Sequence, residues 1–155
     1  MGQPVSPRKV AETGHPLLPP VERCFWLPWP PSVNRMWRMV RIGKASRLLL
    51  SREGRVYREA AGKALLAQWV PVRPLTGRLG LYIEAFPPDR RARDLDNLCK
   101  GLLDALQHSG AIRNDADIDD LHIVRRRTMD EGQVRLTLRE LAGVRVAMDI
   151  EGVPV

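Results

Sequence analysis

The chain of 155 residues predicts an α/β fold, a single domain with a mixed β-sheet and helices packed on it. Three observations carry that expectation. Short β-rich runs alternate with longer stretches of helical periodicity. The hydrophobic fraction of 44% and charged fraction of 28% are those of an ordinary globular protein, long enough to bury a core without staples. No apolar run reaches the length of about 18 residues that a membrane-spanning helix needs.

Residues 1–20 contain Pro4, Pro7, Pro16, Pro19 and Pro20 and little periodicity, so a disordered tail is expected there. They hold no apolar run of the signal-peptide kind, and a cytosolic location is the expectation. The domain itself is expected over residues 21–141. Its first element is "ERCFWLP", Glu22 to Pro28, a short aromatic run bounded by proline that reads as a strand. "WPPSVNR" should follow as an extended turn, because a proline disfavours helix in the residue before it. Arg35 to Leu50 is basic, contains Trp37 and is broken by Gly43. It reads as a loop or ragged hairpin, whose interleaved Arg and Trp either grip a phosphate backbone or merely cover the core.

Ser51 to Val70 is helical, with Ser51 as N-cap and Glu53 in the first turn. Val56, Ala60, Ala64 and Ala67, with Leu65 and Trp69 beside them, are its expected inner face. Pro71 and Pro74 end it. Arg78 to Pro87 alternates as a strand does. Asn97 to His108 forms a second helix, capped by Asp96 or Asn97 and closed by Gly110, with Leu98, Leu102, Ala105 and Leu106 inward. Leu121–Arg127 and Gln133–Leu141 read as two strands joined in a hairpin by "MDEG". Residues 142–155 are a weakly patterned C-terminal extension.

Charge narrows the function. Lys and Arg number 25 against 18 Asp and Glu, giving +7, and 21 of the 25 are arginine. The pI of about 10.2 is the footprint of a nucleic-acid binder. Cys24 and Cys99 are expected as reduced thiols, and neither they nor the three histidines have zinc spacing. No small-molecule cofactor and no membrane partner are expected.

Against this basic background "DRRARDLDNLCKGLLDAL", Asp89 to Leu106, places acids at the mouth of a helix. If the helix includes Asp96, then Asp96, Lys100 and Asp104 share one exposed face at i, i+4 spacing, with Asp94 just outside. A second acidic cluster, "NDADIDD", spans Asn114 to Asp120. It is not a calcium loop, since Asp120 stands where glycine is needed and Arg126 where glutamate is. A helix leading back to a neighbouring strand is expected to return Asp115 beside Asp94 and Asp96. Three such carboxylates repel one another unless a hard divalent cation, Mg²⁺ or Mn²⁺, compensates. Such a cation activates water against a phosphodiester, and Lys100 beside it neutralises charge built on oxygen. The plainer alternative is that Asp96 and Asn97 are helix caps, with Lys100 and Asp104 a surface pair.

The order of these motifs resembles the RusA family of Holliday-junction resolvases of bacteria and phages. "RDLDNLCKGLLDAL" and then "NDADIDDLHIVRRR" carry the likeness, with "LPWPPSVNR" (Leu27–Arg35) and "SREGRVYR" (Ser51–Arg58) before them. It runs from about Phe25 to Leu141. The resemblance implies a homodimeric α/β nuclease that cuts four-way, branched DNA during recombination and repair in a bacterial or phage-infected cell. It implies Asp94, Asp96 and Asp115 as Mg²⁺ ligands and Lys100 as the catalytic lysine. Asn34, Arg35 and Arg93 would contact the junction, and Arg90 and Arg91 would help bring phosphate in. A two-fold dimer would present two active sites to two opposed strands. Two positions depart from the family pattern: Asn114 stands where an aspartate is usual, and Asp117 where a glutamine is frequent. Asn114 is the ground for an alternative, a branched-DNA-binding protein descended from such a nuclease but without turnover.

Overall fold

The computed structural model describes residues 21–70 and 73–141. The expected tail and C-terminal extension lie outside the described residues. Strand β1 (Glu22–Pro28) opens the fold, and one helical turn, α1 (Val33–Met36), follows the two prolines. A hairpin of β2 (Trp37–Ile42) and β3 (Ala45–Leu50) comes next, then helix α2 (Arg52–Gln68), strand β4 (Leu79–Phe86) and helix α3 (Asp96–His108). A 3₁₀ turn (Asp115–Asp117) leads into β5 (Ile118–Arg125), and β6 (Gln133–Glu140) ends the described chain.

The main sheet runs β1-β6-β4-β5, with β5 parallel to β4 and the other pairs antiparallel. The expected hairpin between the last two strands therefore does not form: β4 lies between them. Glu131 and Gly132 do adopt the left-handed turn conformation (φ 63° and 67°). The chain, however, first follows the end of β4, with Arg126 N–H donating to Ala85 O (2.8 Å) and Met129 N–H to Pro87 O (2.9 Å). The physical reason is burial. β4 is covered on both faces, with Leu79, Leu81, Ile83 and Ala85 at most 1% exposed and Glu84 at 4%, so it takes a central place.

Phe25, Leu27, Val134, Leu136 and Leu138 extend the buried row of β4 across the sheet, and the helices lie on that side. α3 contributes Leu98, Leu102, Ala105 and Leu106, as its periodicity predicts. Truncating any of these leucines costs roughly 2–5 kcal/mol. α2 is rotated from expectation. It buries Gly54, Tyr57, Ala61 and Leu65, while Val56 is 60% exposed. Alanines recur at helical spacing on several faces and bury little area, so Tyr57 and Leu65 decide the rotation.

α1 is clamped between the two long helices. A Cβ on Gly54 would fall 2.5 Å from Met36 O, and one on Gly101 would fall 2.8 Å from Met36 Sδ. Both glycines thus serve close helix approach rather than a turn. Ser51 completes the clamp. Its Oγ accepts Gly54 N–H (2.9 Å) and donates to Arg35 O (2.6 Å), and its N–H donates to Met36 O (2.9 Å).

Candidate functional site

The start of α3 is the first half of the site. Neither Asp96 nor Asn97 caps the helix: Leu95 occupies the N-cap position, no side chain caps it, and Asp96 is the first helical residue. Asp94 instead accepts a weak bond from Asn97 Nδ2 (3.4 Å). The capping explanation for these acids is therefore removed. Asp94 and Asp96 are exposed and have no ion-pair partner among the described residues. One turn on, the Lys100 ammonium lies 3.6 Å from Asp104 Oδ1 and 5.3 Å from the centre of the Trp37 ring. Half-exposed, it is held in place without being consumed by a tight pair.

The arginines around this point divide in two. Arg93 makes a two-pronged pair with Asp89, Nη1 to Oδ1 at 2.6 Å and Nη2 to Oδ2 at 2.9 Å, and lies over Trp29. Arg93, and then the Arg91 N–H, hold the Asp89 carboxyl far below the usual carboxylate range; Asp89 in turn raises the Arg93 guanidinium. Arg125 donates to the Arg93 carbonyl. Arg35 is similarly forked onto Glu53, at 3.1 and 2.9 Å. Arg93 thus braces the loop that carries Asp94, while Arg35 ties α1 to α2. Asn34 and Arg90 are exposed, and Arg91 reaches Asp89 only at 3.9 Å. Arg35, Arg93, Asp94 and Asn97 meet Trp29, Pro30 and Tyr57 in one cleft of about 800 Å³. Burial pushes the Tyr57 phenol well up, so it stays neutral.

The second acidic cluster is sorted by pairing. Asp119 pairs with Arg78 (2.9 Å), and Asp120 with Arg139 (3.1 Å) and His122 (2.9 Å). Asp117, which stands where a glutamine is frequent in the family, is buried beside Arg113 at 3.7 Å. Asp115 alone of these four stays exposed without an ion pair among the described residues. Its N–H donates to Gln107 Oε1 (3.3 Å). Asn114 has a clear structural role, since its Oδ1 accepts Ala116 N–H (3.0 Å) and caps the 3₁₀ turn. An aspartate could do the same, so this departure loses no cap.

The expected convergence of Asp94, Asp96 and Asp115 does not occur within one chain. Among the described residues no three His, Cys, Asp or Glu side chains come together in a group fit for a metal ion. The reason is topological. β4-α3-β5 is a parallel crossover, so α3 starts where β4 ends and finishes where β5 begins, at opposite ends of these two strands. Asp96 and Gln107 stand about 16 Å apart along α3 at 1.5 Å per residue. Carboxylates sharing one Mg²⁺ lie within roughly 4 Å of each other. Yet Asp96, Lys100 and Gln107 fall within about 40° of one another on the helix at 100° per residue. The two half-sites therefore lie at the two ends of a single stripe.

Sequence reasoning missed the bracing role of Asp89 and Glu53. The i, i+4 spacing of Asp89 and Arg93 was a usable signal; Arg35 and Glu53, 18 residues apart, offered none.

No helix among the described residues is long and apolar enough to cross a membrane. Residues 28–139 match the family model for endodeoxyribonuclease RusA. The crossover junction endodeoxyribonuclease of Enterobacteria phage HK97 is 34% identical over 120 residues, 77% of this chain and 96% of that protein. Those of Enterobacteria phage 82 and Escherichia coli K12 are 36% identical over 115 residues, 74% of this chain and 92% of each. The match spans both half-sites and the bracing loop before the first of them, and the chain belongs to the endodeoxyribonuclease RusA family.

Proposed function

We propose that this endodeoxyribonuclease resolves four-way DNA junctions by paired, symmetric phosphodiester hydrolysis, as a homodimer whose active sites are each completed by the partner subunit. The observation that carries this reading is the separation of unpaired acids along α3. Two copies related by a two-fold axis across the middle of α3 would set their stripes head to tail. Asp94 and Asp96 of one chain would then face Asp115 of the partner subunit. These oxygen donors suit Mg²⁺, and Mn²⁺ as a substitute. Such an ion, when bound, supplies Lewis-acid polarisation and an activated water.

The chain's own groups do the rest. Lys100 places a positive charge beside the acids, where an oxyanion develops. Near the acids, exposed Arg90 and Asn34, and Arg91, held to Asp89 only at 3.9 Å, are groups that would take phosphate. Arg93 and Arg35 act by positioning. The alternative, a non-catalytic junction binder suggested by Asn114 standing where an aspartate is usual, would bind the junction without nicking it.

Cleavage of a synthetic four-way junction with Mg²⁺ or Mn²⁺, absent in EDTA, tests the activity; a protein inert in both sinks it. The shared site has a separate test. Asp96→Asn and Asp115→Asn chains are each expected to be inactive. Mixed and refolded together, they should regain nicking of one strand, because the heterodimer holds one site with both aspartates. A mixture as inactive as its components would return the whole site to one chain.

A further inference from the structure

The β2–β3 hairpin is not accounted for by the site. It leaves and rejoins the body at one point, where Ser51 N–H meets Met36 O (2.9 Å). Beyond its root at Trp37 and Leu50 it is almost wholly exposed. Cross-strand pairs share a face, so Trp37/Leu50, Met39/Leu48 and Arg41/Ser46 form one side, and Arg38/Leu49, Val40/Arg47 and Ile42/Ala45 the other. Met39 is 67% exposed and Leu48 54%, an apolar pair facing solvent. An isolated two-stranded ribbon is marginal in water, and exposed apolar pairs of this kind mark a contact surface.

Charge identifies the occupant. Arg38, Arg41, Lys44 and Arg47 lie within residues 37–50, which contain no acid. None of these cations has an ion-pair partner among the described residues. A second copy seated on this arm would oppose like charges; a polyanion would not. A two-stranded ribbon also fits a DNA major groove about 12 Å wide. The arm is rooted beside the catalytic stripe, since Trp37 at its base lies 5.3 Å from the Lys100 ammonium. Strands of six residues carry its tip about 20 Å away.

We propose that this hairpin is a junction-opening arm: its four cations clamp backbone phosphates, while Met39 and Leu48 press against bases unstacked at the branch point. Apolar side chains wedged at a base step are a general means of unstacking it. The inference rests on the functional reading above and adds the element that distinguishes a branch from plain duplex.

The test uses the full-length protein in EDTA, where DNA is bound but not cut. The probes are a four-way junction carrying 2-aminopurine at the branch point and a linear duplex of the same sequence. Wild type should prefer the junction and raise the 2-aminopurine fluorescence. Met39→Ser/Leu48→Ser should weaken junction binding about tenfold, leave duplex binding unchanged and abolish the rise. Both side chains are more than half exposed, so the core is untouched. Arg41→Ala/Lys44→Ala should weaken both complexes and lower the salt slope by about 0.9 for each phosphate no longer neutralised. Retained junction preference and fluorescence in Met39→Ser/Leu48→Ser would overturn the arm alone. Dissociation of that variant's dimer in sedimentation would also overturn it, giving the face to a second copy. A wild-type protein with no junction preference would sink the functional reading and the arm with it.

Discussion

Two arginine-bearing regions sit close together in the chain and behave in opposite ways. In the cleft, Arg93 and Arg35 are forked onto Asp89 and Glu53. In the hairpin, Arg38, Arg41 and Arg47 face no acid among the described residues. Composition counts them alike. What separates them is a carboxylate placed in reach, which turns a cation from a probe of the outside into a brace for the inside. The same sorting occurs on the far face of the sheet. There burial pushes the Glu84 carboxyl up, but hydrogen bonds and charge from Arg135 and Arg126 outweigh it and hold it ionised. A strongly basic chain therefore has fewer arginines for DNA than its pI suggests.

Substitutions in either region put this contrast at risk. The largest effect is expected where brace and chemistry meet. Asp96→Asn should lower the single-turnover cleavage rate at least about 10³-fold while junction affinity in EDTA stays within about twofold. Lys100→Ala should cost about 10²–10³-fold in rate, with affinity little changed. If either variant loses binding instead of turnover, the acids and Lys100 belong to the docking surface.

Arg93→Lys separates brace from charge. Lysine keeps the charge but cannot fork onto Asp89, so the loop carrying Asp94 should loosen and cleavage fall about ten- to hundredfold. The same exchange in the hairpin, Arg41→Lys/Arg47→Lys, should leave junction affinity within about twofold, because a phosphate clamp needs charge more than fork geometry. Equal effects in the two regions would erase the distinction.

Gly101→Val tests the clamp on α1. Its side chain must displace Met36, at a cost of roughly 1–3 kcal/mol read from the urea midpoint. The smallest effect concerns pH. The Asp89 carboxyl is depressed in the folded state by Arg93 and the Arg91 N–H. Its contribution is therefore complete above the unfolded aspartate range, near pH 4, and is lost as pH falls below it. The stability gap between wild type and Asp89→Asn should be constant above about pH 5 and close on acidification. A gap that instead widens in acid would exclude Asp89 as the brace.

Local patterns were legible where a few neighbouring residues settle the matter. Ser51 caps α2 as its position before a helical run predicts, β1 spans Glu22 to Pro28, and Gly43 marks the hairpin turn with φ 62°. The inner face of α3 followed from spacing alone, because leucines at Leu98, Leu102 and Leu106 leave one rotation possible. The face of α2 did not, because alanine spacing is ambiguous until Tyr57 finds a neighbour. Strand order was beyond reach as well. "MDEG" has turn chemistry, but whether the next strand pairs with its predecessor or jumps over β4 depends on which strand is most deeply buried.

Residue identity and short-range spacing were enough to establish the family, the shared face of Asp96, Lys100 and Asp104 on α3, and the excess of positive charge. They could not separate the arginines that brace from those that are free, nor put Asp115 at the opposite end of α3 from Asp94; the folded chain did both. Ion pairing and metal geometry are set over a few ångströms between residues far apart in sequence. The direction of the β4-α3-β5 crossover, which no local window encodes, fixes those distances.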